Sequence, residues 1–367
     1  MEKVIEELQK TLESGAIEDY LFLITTAALC IYRGSKKANK LKEEKSEEVE
    51  KMETKDALKF PIVGSAVLFG IFLVVKYIRK DLINLLVSIY FALFGGICVG
   101  STIRPLFDAI LGKKTGSKKI VIFSEKFLSI EVSELLGMLF VGFPVSVFWA
   151  ITKNWIANNV LGVSFAIEAI SYMNIGSYKT GAILLIGLFA YDIFWVFGTP
   201  VMVSVVKGFN APIKILYPRS GIVTALVKGA EISSQHSVLG LGDIAIPGFF
   251  VAMLLRFDPV SKKYFRAGFI AYICGLINTM VVMHVFSAAQ PALLYLVPWC
   301  LISSLLTALF NGRLTELINY DEEKEEKKEK GEKKEEKKEE KKEEKKKDDV
   351  QKKPQQKNNG KKKVKTN

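Results

Sequence analysis

The sequence predicts an all-α polytopic membrane protein with about nine transmembrane helices. Of its 367 residues, 49% are hydrophobic, and the apolar residues form runs near the roughly 20 residues that cross a bilayer. The formal net charge of +12 comes from lysines outside these runs. The predicted spans cover residues 16–33, 60–78, 82–102, 133–152, 155–173, 180–206, 237–256, 264–287 and 290–312.

The first and fifth predicted spans differ from a plain apolar run of about 20 residues. The first is short, and the fifth is interrupted by Asn158, Asn159 and Glu168. Glu168 lies near the end of its span, from where a side chain can reach water, and Asp258 lies beyond the seventh span. We interpret both acids as structural.

Basic residues predict the orientation of the spans. With the N-terminus outside the cytosol, the cytosolic connections before the tail carry about 20 basic residues, against about 10 on the other side. The chain then divides into a polar N-terminus (1–15), a nine-span membrane domain (16–312) and a charged cytosolic tail (313–367). The tail is a Glu/Lys repeat that turns purely basic after Val350. It cannot bury a core and is predicted to be disordered or a solvated helix.

The sequence indicates no metal and no organic cofactor. The four cysteines lack the Cys-x-x-Cys spacing of zinc or redox sites. The two histidines, His236 and His284, form no His-Glu-x-x-His pattern, which disfavours a zinc protease. Since the basic residues lie at the edges and tail of a membrane domain, they do not indicate nucleic-acid binding. The partners that we expect are the lipid bilayer and membrane-embedded substrates.

Two aspartates, Asp192 and Asp243, lie inside apolar spans. A charged carboxylate there costs at least a few kcal/mol, so each is a functional-site candidate. Counting 1.5 Å per residue, they lie about 16 Å and about 20 Å from the cytosolic surface, and the two carboxyl groups could meet. Such a pair ionises with difficulty in a low-dielectric site, so one member keeps a proton. That arrangement suits hydrolysis, in which the charged carboxylate activates water and the protonated one donates to the carbonyl oxygen.

Small residues and prolines accompany the aspartates. Gly240 and Gly242 leave room for another backbone, Pro247 removes a helix donor one turn after Asp243, and Tyr191 offers a hydroxyl beside Asp192. Taken singly, the glycines could be helix-packing residues, and Pro291 could be an ordinary helix-starting proline.

Three motifs together resemble those of the signal peptide peptidases, which are intramembrane aspartyl proteases related to presenilin. They are Tyr191-Asp192, Gly240-Leu241-Gly242-Asp243 and Pro291-Ala292-Leu293. Longer stretches are also similar, among them Trp155-Ile156-Ala157-Asn158-Asn159 and Gln290-Pro291-Ala292-Leu293. The resemblance is most specific from about residue 150 to 320 and excludes the tail.

The resemblance implies a presenilin-like bundle of nine spans, with a lumenal N-terminus, in the endoplasmic reticulum membrane. It implies cleavage of membrane-embedded signal peptides and type II anchors, with Asp192 and Asp243 as catalytic residues. A substrate site would include Tyr191, Gly240, Leu241, Gly242 and the segment from Gln290 to Leu293. Lys363 and Lys365 are similar to a dilysine retrieval signal of that compartment, although a plain solubilising tail is the alternative. Whether the chain forms a homo-oligomer is left open.

A short β-prone run, from Pro212 to Pro218, lies in the loop between the two aspartate spans. A transmembrane substrate hides its peptide bonds in its own helical hydrogen bonds, so cleavage requires unwinding and new partners for the freed groups. We hypothesise that this run, or the glycine-rich entrance of the seventh span, pairs with the unwound substrate by strand addition. An ordinary surface loop is the alternative.

Two other functions compete with the aspartyl protease. A proton- or cation-coupled transporter or channel would also place acids at mid-membrane on helices broken by glycine and proline. A repeat of the aspartate motif in two sequence halves would favour this alternative, and the sequence lacks such a repeat. A serine protease would require Ser164, in an isolated Gly-x-Ser, together with His284.

Overall fold

The computed structural model describes seven stretches of the chain. They are residues 16–43, 50–77, 80–121, 129–199, 211–218, 236–286 and 290–324. The predicted N-terminal segment 1–15, the end of the sixth predicted span (200–206), and the dilysine-like motif lie outside the described residues.

Helices dominate these stretches, and we number them in chain order. They are α1 (Ala16–Glu43), α2 (Thr54–Tyr77), α3 (Lys80–Leu111), α4 (Lys113–Gly116), α5 (Val132–Thr152, with a π-helical turn at Met138–Gly142), α6 (Trp155–Tyr172), α7 (Tyr178–Phe197), α8 (Leu241–Phe257), α9 (Lys263–Phe286), α10 (Leu293–Phe310) and α11 (Leu314–Ile318).

Six short strands form three two-stranded sheets in the described connections. β1 (Glu50–Met52) pairs in parallel with β4 (Met173–Ile175), and β2 (Lys119–Val121) pairs antiparallel with β3 (Ser129–Glu131). The third sheet joins β5 (Lys214–Pro218) to β6 (His236–Gly240), which runs directly into α8.

The helices confirm an all-α polytopic membrane protein. Each of the nine predicted spans coincides with a described helix, and six of these helices are long and apolar enough to cross a membrane: α2, α3, α5, α7, α9 and α10. The other three are α1, which carries charges at both ends of its apolar stretch, α6 with its two asparagines, and α8, which has 17 residues.

Helix α8 lies at the centre of the core. It packs against α1, α6, α7, α9 and α10, and five consecutive residues, from Phe250 to Leu254, are inaccessible to solvent. A helix that is apolar on all sides belongs in such a surrounded position. The first turn of α8, which carries Asp243, is therefore held by several neighbours.

Two predicted helix starts were wrong. The seventh span was predicted to begin at residue 237, but residues 236–240 form β6 because they pair with β5, and the helix begins at Leu241. The ninth was predicted to begin at 290, but α10 begins at Leu293, two residues after Pro291. Pro291 is therefore not the first residue of its helix.

Glu168 does not reach water, contrary to the prediction. Its side chain is 8% exposed and accepts from the Lys37 ammonium at 2.5 Å and from the Thr102 hydroxyl at 2.8 Å. Lys37 also donates to Ser101 at 2.9 Å. Because burial of a lone carboxylate is costly, this cluster compensates for the charge and joins α1, α3 and α6.

Asp258 has the structural role that we predicted. Its carboxylate accepts from the backbone N–H of Ser261 and of Lys263, each at 3.3 Å, and from the Ser261 hydroxyl. Free N–H groups at a helix start need such acceptors. Asp258 therefore stabilises the start of α9.

Replacing Glu168 by alanine should destabilise the protein, because the Lys37 ammonium loses its partner. Since Lys37 is partly exposed, we expect a loss of about 2 to 3 kcal/mol, at or below the usual range for breaking a buried pair. Thermal unfolding in detergent measures this. The control is Glu316→Ala in the exposed Arg313–Glu316 pair, with side chains 40% and 60% exposed, which should cost less than about 0.5 kcal/mol. Equal losses in the two variants would contradict the role of the cluster.

Candidate active site

The three sequence motifs converge where α7, α8 and α10 pack together. Asp192 lies in the second half of α7, Asp243 in the first turn of α8, and Leu293 at the start of α10. Each of these helices contacts the other two. The motifs are about 50 residues apart along the chain but form one site.

Asp192 is held by the first residue of α10. The side chain is 6% exposed, and the Leu293 N–H donates to its Oδ2 atom at 3.0 Å. The first N–H groups of a helix have no partner within the helix, and they carry its positive partial charge. The third motif thus contributes a main-chain donor to the first aspartate.

Asp243 lies close to Asp192 and is partly buried. The two carboxyl groups are near enough to interact electrostatically, and Gly240 lies against the Asp243 carboxyl group. Asp192 thus accepts from the N–H at the start of α10, and Asp243 itself lies in the first turn of α8. This proximity is what the sequence-based hypothesis of a carboxyl pair requires.

Tyr272 of α9 supports the main chain at Asp243. Pro247 lies four residues after Asp243 and has no N–H, so the Asp243 carbonyl lacks its helical partner. The fully buried Tyr272 hydroxyl donates to this carbonyl at 3.3 Å. Sequence reasoning missed Tyr272; the signal was a proline one turn after a buried aspartate, which leaves a carbonyl needing a donor.

The two glycines beside Asp243 differ in what surrounds them. A Cβ atom at Gly240 would lie 3.0 Å from the Asp243 Oδ2 atom, so a side chain there would press on the carboxyl group. A Cβ atom at Gly242 would meet only Ile246 at 3.8 Å, and Gly242 is exposed. Packing within the described residues therefore explains Gly240 but leaves the space at Gly242 open.

The remaining residues of the predicted substrate site have structural contacts. The Tyr191 ring packs on Trp195, with ring centres 6.3 Å apart, and faces Gly64 of α2. Gln290 accepts from the Tyr295 hydroxyl at 3.4 Å, and the Leu241 N–H donates to the Ile213 carbonyl at 3.0 Å. Pro291 is buried and Ala292 precedes the first residue of α10.

Asparagines of α6 bind the outer edge of β5. The Asn159 side chain accepts from the Leu216 N–H at 2.8 Å and donates to the Leu216 carbonyl at 2.6 Å, as a neighbouring strand would. Asn158 donates to the Lys214 carbonyl at 2.7 Å. In the sequence these two asparagines interrupt an apolar span, and in the structure they hold β5 in place. Two adjacent amides in an apolar run were the available signal.

Among the described residues, nothing pairs with the outer edge of β6. In an antiparallel pair, residues opposite each other direct their main-chain N–H and carbonyl groups either towards each other or away from each other. The main-chain groups of Leu216 and Lys214 point towards α6. Those of their partners, Val238 and Gly240, therefore point away from β5. Val238 is 45% exposed, and within the described residues no hydrogen bond occupies its N–H or carbonyl.

Comparison with known proteins gives the family of the chain. A family model described as signal peptide peptidase matches residues 44–324. The signal peptide peptidase of Homo sapiens is 39% identical over 324 residues and that of Mus musculus 40%, with 83% of both chains covered in each case. Intramembrane protease 2 of Caenorhabditis elegans is 47% identical over 201 residues, covering 49% of this chain and 41% of the relative.

The chain belongs to the signal peptide peptidase family. It is therefore an intramembrane protease and a multi-pass membrane protein. As a member of this family it falls into the protease class that the sequence favoured, rather than the transporter class. In a signal peptide peptidase, the junction of α7, α8 and α10 is the natural candidate for the active site, because it holds all three motifs.

The open space at Gly242 leads to a prediction. If a substrate backbone passes there, Gly242→Ala should lower kcat/KM for a membrane-embedded substrate by about 10-fold, whereas stability should stay equal or rise slightly because alanine favours helix. Cleavage of a labelled peptide and thermal unfolding in detergent give the two readings. The matched control is Gly70→Ala in α2, where an added Cβ would meet nothing within 4 Å. Unchanged kcat/KM in Gly242→Ala would show that no substrate uses this space.

Proposed function

We propose that this protein is an aspartyl intramembrane endopeptidase in which Asp192 and Asp243 activate water. The observation that carries the proposal is the meeting of these two carboxyl groups at the junction of α7, α8 and α10, where Leu293 donates to Asp192. Acids buried among apolar helices cost free energy, so their presence indicates a functional site.

The reaction follows from two carboxyl groups that share one proton. The ionised member takes a proton from water as the oxygen attacks the scissile carbonyl carbon. The protonated member donates a hydrogen bond to the carbonyl oxygen and then gives its proton to the leaving nitrogen, so that the pair again shares one proton, the one taken from water. The pair titrates as a unit, so the two roles are not divided between Asp192 and Asp243. The Leu293 N–H keeps the Asp192 carboxyl group in place through both steps.

We further propose that the substrates are signal peptides and type II membrane anchors in the endoplasmic reticulum. Support comes from the names of the human and mouse relatives and from the dilysine-like pair Lys363 and Lys365. The distribution of basic residues supports a lumenal N-terminus (1–15) and a cytosolic tail (313–367). The membrane domain between them (16–312) contains the proposed active site.

Replacing either aspartate by asparagine should abolish cleavage, because asparagine cannot exchange the proton. We expect kcat to fall at least roughly 100-fold for Asp192→Asn and for Asp243→Asn. The assay follows purified protein and a labelled type II anchor in detergent. The control is Asp258→Asn, the same chemical change at an acid that stabilises the start of α9; it should retain activity. Cleavage that persists in both aspartate variants would refute the aspartyl mechanism.

The strand hypothesis becomes more specific with the structure. The run from Pro212 to Pro218 contains β5, but its outer edge is occupied by Asn158 and Asn159. We therefore propose that an unwound substrate adds to the outer edge of β6, at Val238. Because β6 ends at Gly240, three residues before Asp243, a strand paired there runs towards the two carboxyl groups.

Val238→Pro tests this edge. Proline removes the outward N–H but no β5–β6 hydrogen bond, and prolines are tolerated on an edge whose N–H faces outward. Loss of one main-chain bond to substrate should lower kcat/KM about 5- to 10-fold. Val238→Ala keeps the N–H and should retain activity, whereas Leu239→Pro interrupts the pairing with Ile215 and should also lower stability. Full activity of Val238→Pro would exclude strand addition at this edge.

A further inference from the structure

The first turn of α1 binds both strands of the β5–β6 sheet. The Ser237 hydroxyl of β6 donates to the Asp19 Oδ2 atom at 2.6 Å, and the Tyr217 hydroxyl of β5 donates to Glu18 at a longer 3.5 Å. Tyr217 and Ser237 lie opposite each other in the sheet, so their side chains share one face. Neighbouring acids on one helix therefore contact a cross-strand pair.

Burial and aromatic packing strengthen this attachment. Asp19 is 5% exposed and Ser237 is 7% exposed, and the Phe22 and Tyr217 ring centres are 5.0 Å apart. Burial, followed by the charges of Glu18 and Asp19, raises the pKa of Tyr217, so the phenol keeps its proton and remains a donor. A hydrogen bond to a buried carboxylate is stronger than one between neutral groups.

The same sheet is fixed on its other sides. Asn158 and Asn159 bind the outer edge of β5, and β6 continues into α8. Ile215 and Leu239, on the face that also carries Tyr217 and Ser237, are buried in the core. In the part of the chain that the structure describes, the outer edge of β6 is the side of the sheet without such contacts. Its position relative to Asp243 depends on how firmly Ser237 is held.

We propose that Asp19 is a positioning residue for the substrate strand: by binding Ser237 it fixes β6, so that the main-chain groups of Val238 accept an unwound substrate in line with the aspartates. This inference rests on the proposed function. Asp19 does not touch the reacting atoms. It acts through Ser237, and its effect should appear in substrate binding rather than at the carboxyl pair.

The test measures KM and kcat for a transmembrane peptide in Asp19→Ala, Ser237→Ala and the double variant. We expect each single change to raise KM about 5-fold, the expected effect of losing one hydrogen bond. The double variant should be no worse than either single one, because both remove the same bond. Asp19→Asn keeps an acceptor oxygen, so its KM should be close to that of the wild-type protein. The Kd of a short transition-state mimic that occupies only the aspartates should not change.

A chemically matched control separates positioning from stability. Ser133 also donates to an aspartate at 2.6 Å, Asp108, between α5 and α3 and away from the sheet. Ser133→Ala should lower the Tm comparably and leave KM unchanged. An unchanged KM in Ser237→Ala and Asp19→Ala overturns the proposal, as does an equal rise in KM in Ser133→Ala. If wild-type protein cleaves and Asp192→Asn does not, the proposed function stands whichever way Asp19 behaves, so the two failures are distinguishable.

Discussion

In a membrane interior, each polar main-chain group needs a partner within the protein, and the candidate site is built from groups that lack their usual helical partners. The Leu293 N–H is free of helical pairing because it begins α10, and it donates to Asp192. The Asp243 carbonyl has no helical donor because Pro247 lies one turn later, and Tyr272 donates to it instead. These two bonds connect α7 to α10 and α8 to α9 at the points where the aspartates lie.

The β5–β6 sheet obeys the same constraint in a different way. A strand leaves main-chain groups unpaired at its edges. On β5 that edge is closed by asparagine side chains of α6, and Asn159 satisfies both the N–H and the carbonyl of Leu216. Because a helix supplies these amides, the sheet cannot shift along α6 without losing them. The free edge therefore keeps a defined place beside the first turn of α8.

Much of this arrangement could be predicted from local sequence. The apolar runs predicted nine of the described helices, six of which are long and apolar enough to cross a membrane, and the rarity of acids in such runs singled out Asp192 and Asp243. The start of α8 was wrong because a short apolar run does not distinguish strand from helix, and the strand that decides the question lies about 20 residues earlier.

What the sequence could not supply is pairing between distant segments. Glu168 looked able to reach water, because nothing near it in the chain indicates Lys37, which lies 131 residues away. Ser237 and Asp19 are 218 residues apart, and Tyr272 follows Asp243 by 29. Each of these contacts is made between elements that only the packed bundle brings together. The two asparagines of α6 were visible in the sequence, but their partners in β5 were not.

The exposed edge of β6 has a consequence for selectivity. It offers peptide groups, which all sequences share, so recognition there discriminates little between side chains. A protease that uses such an edge therefore accepts substrates of many different sequences. Its preference among candidate substrates is then set by the energy needed to uncoil each one, and helices weakened by glycine, proline or polar residues would be cut before uniformly aliphatic ones.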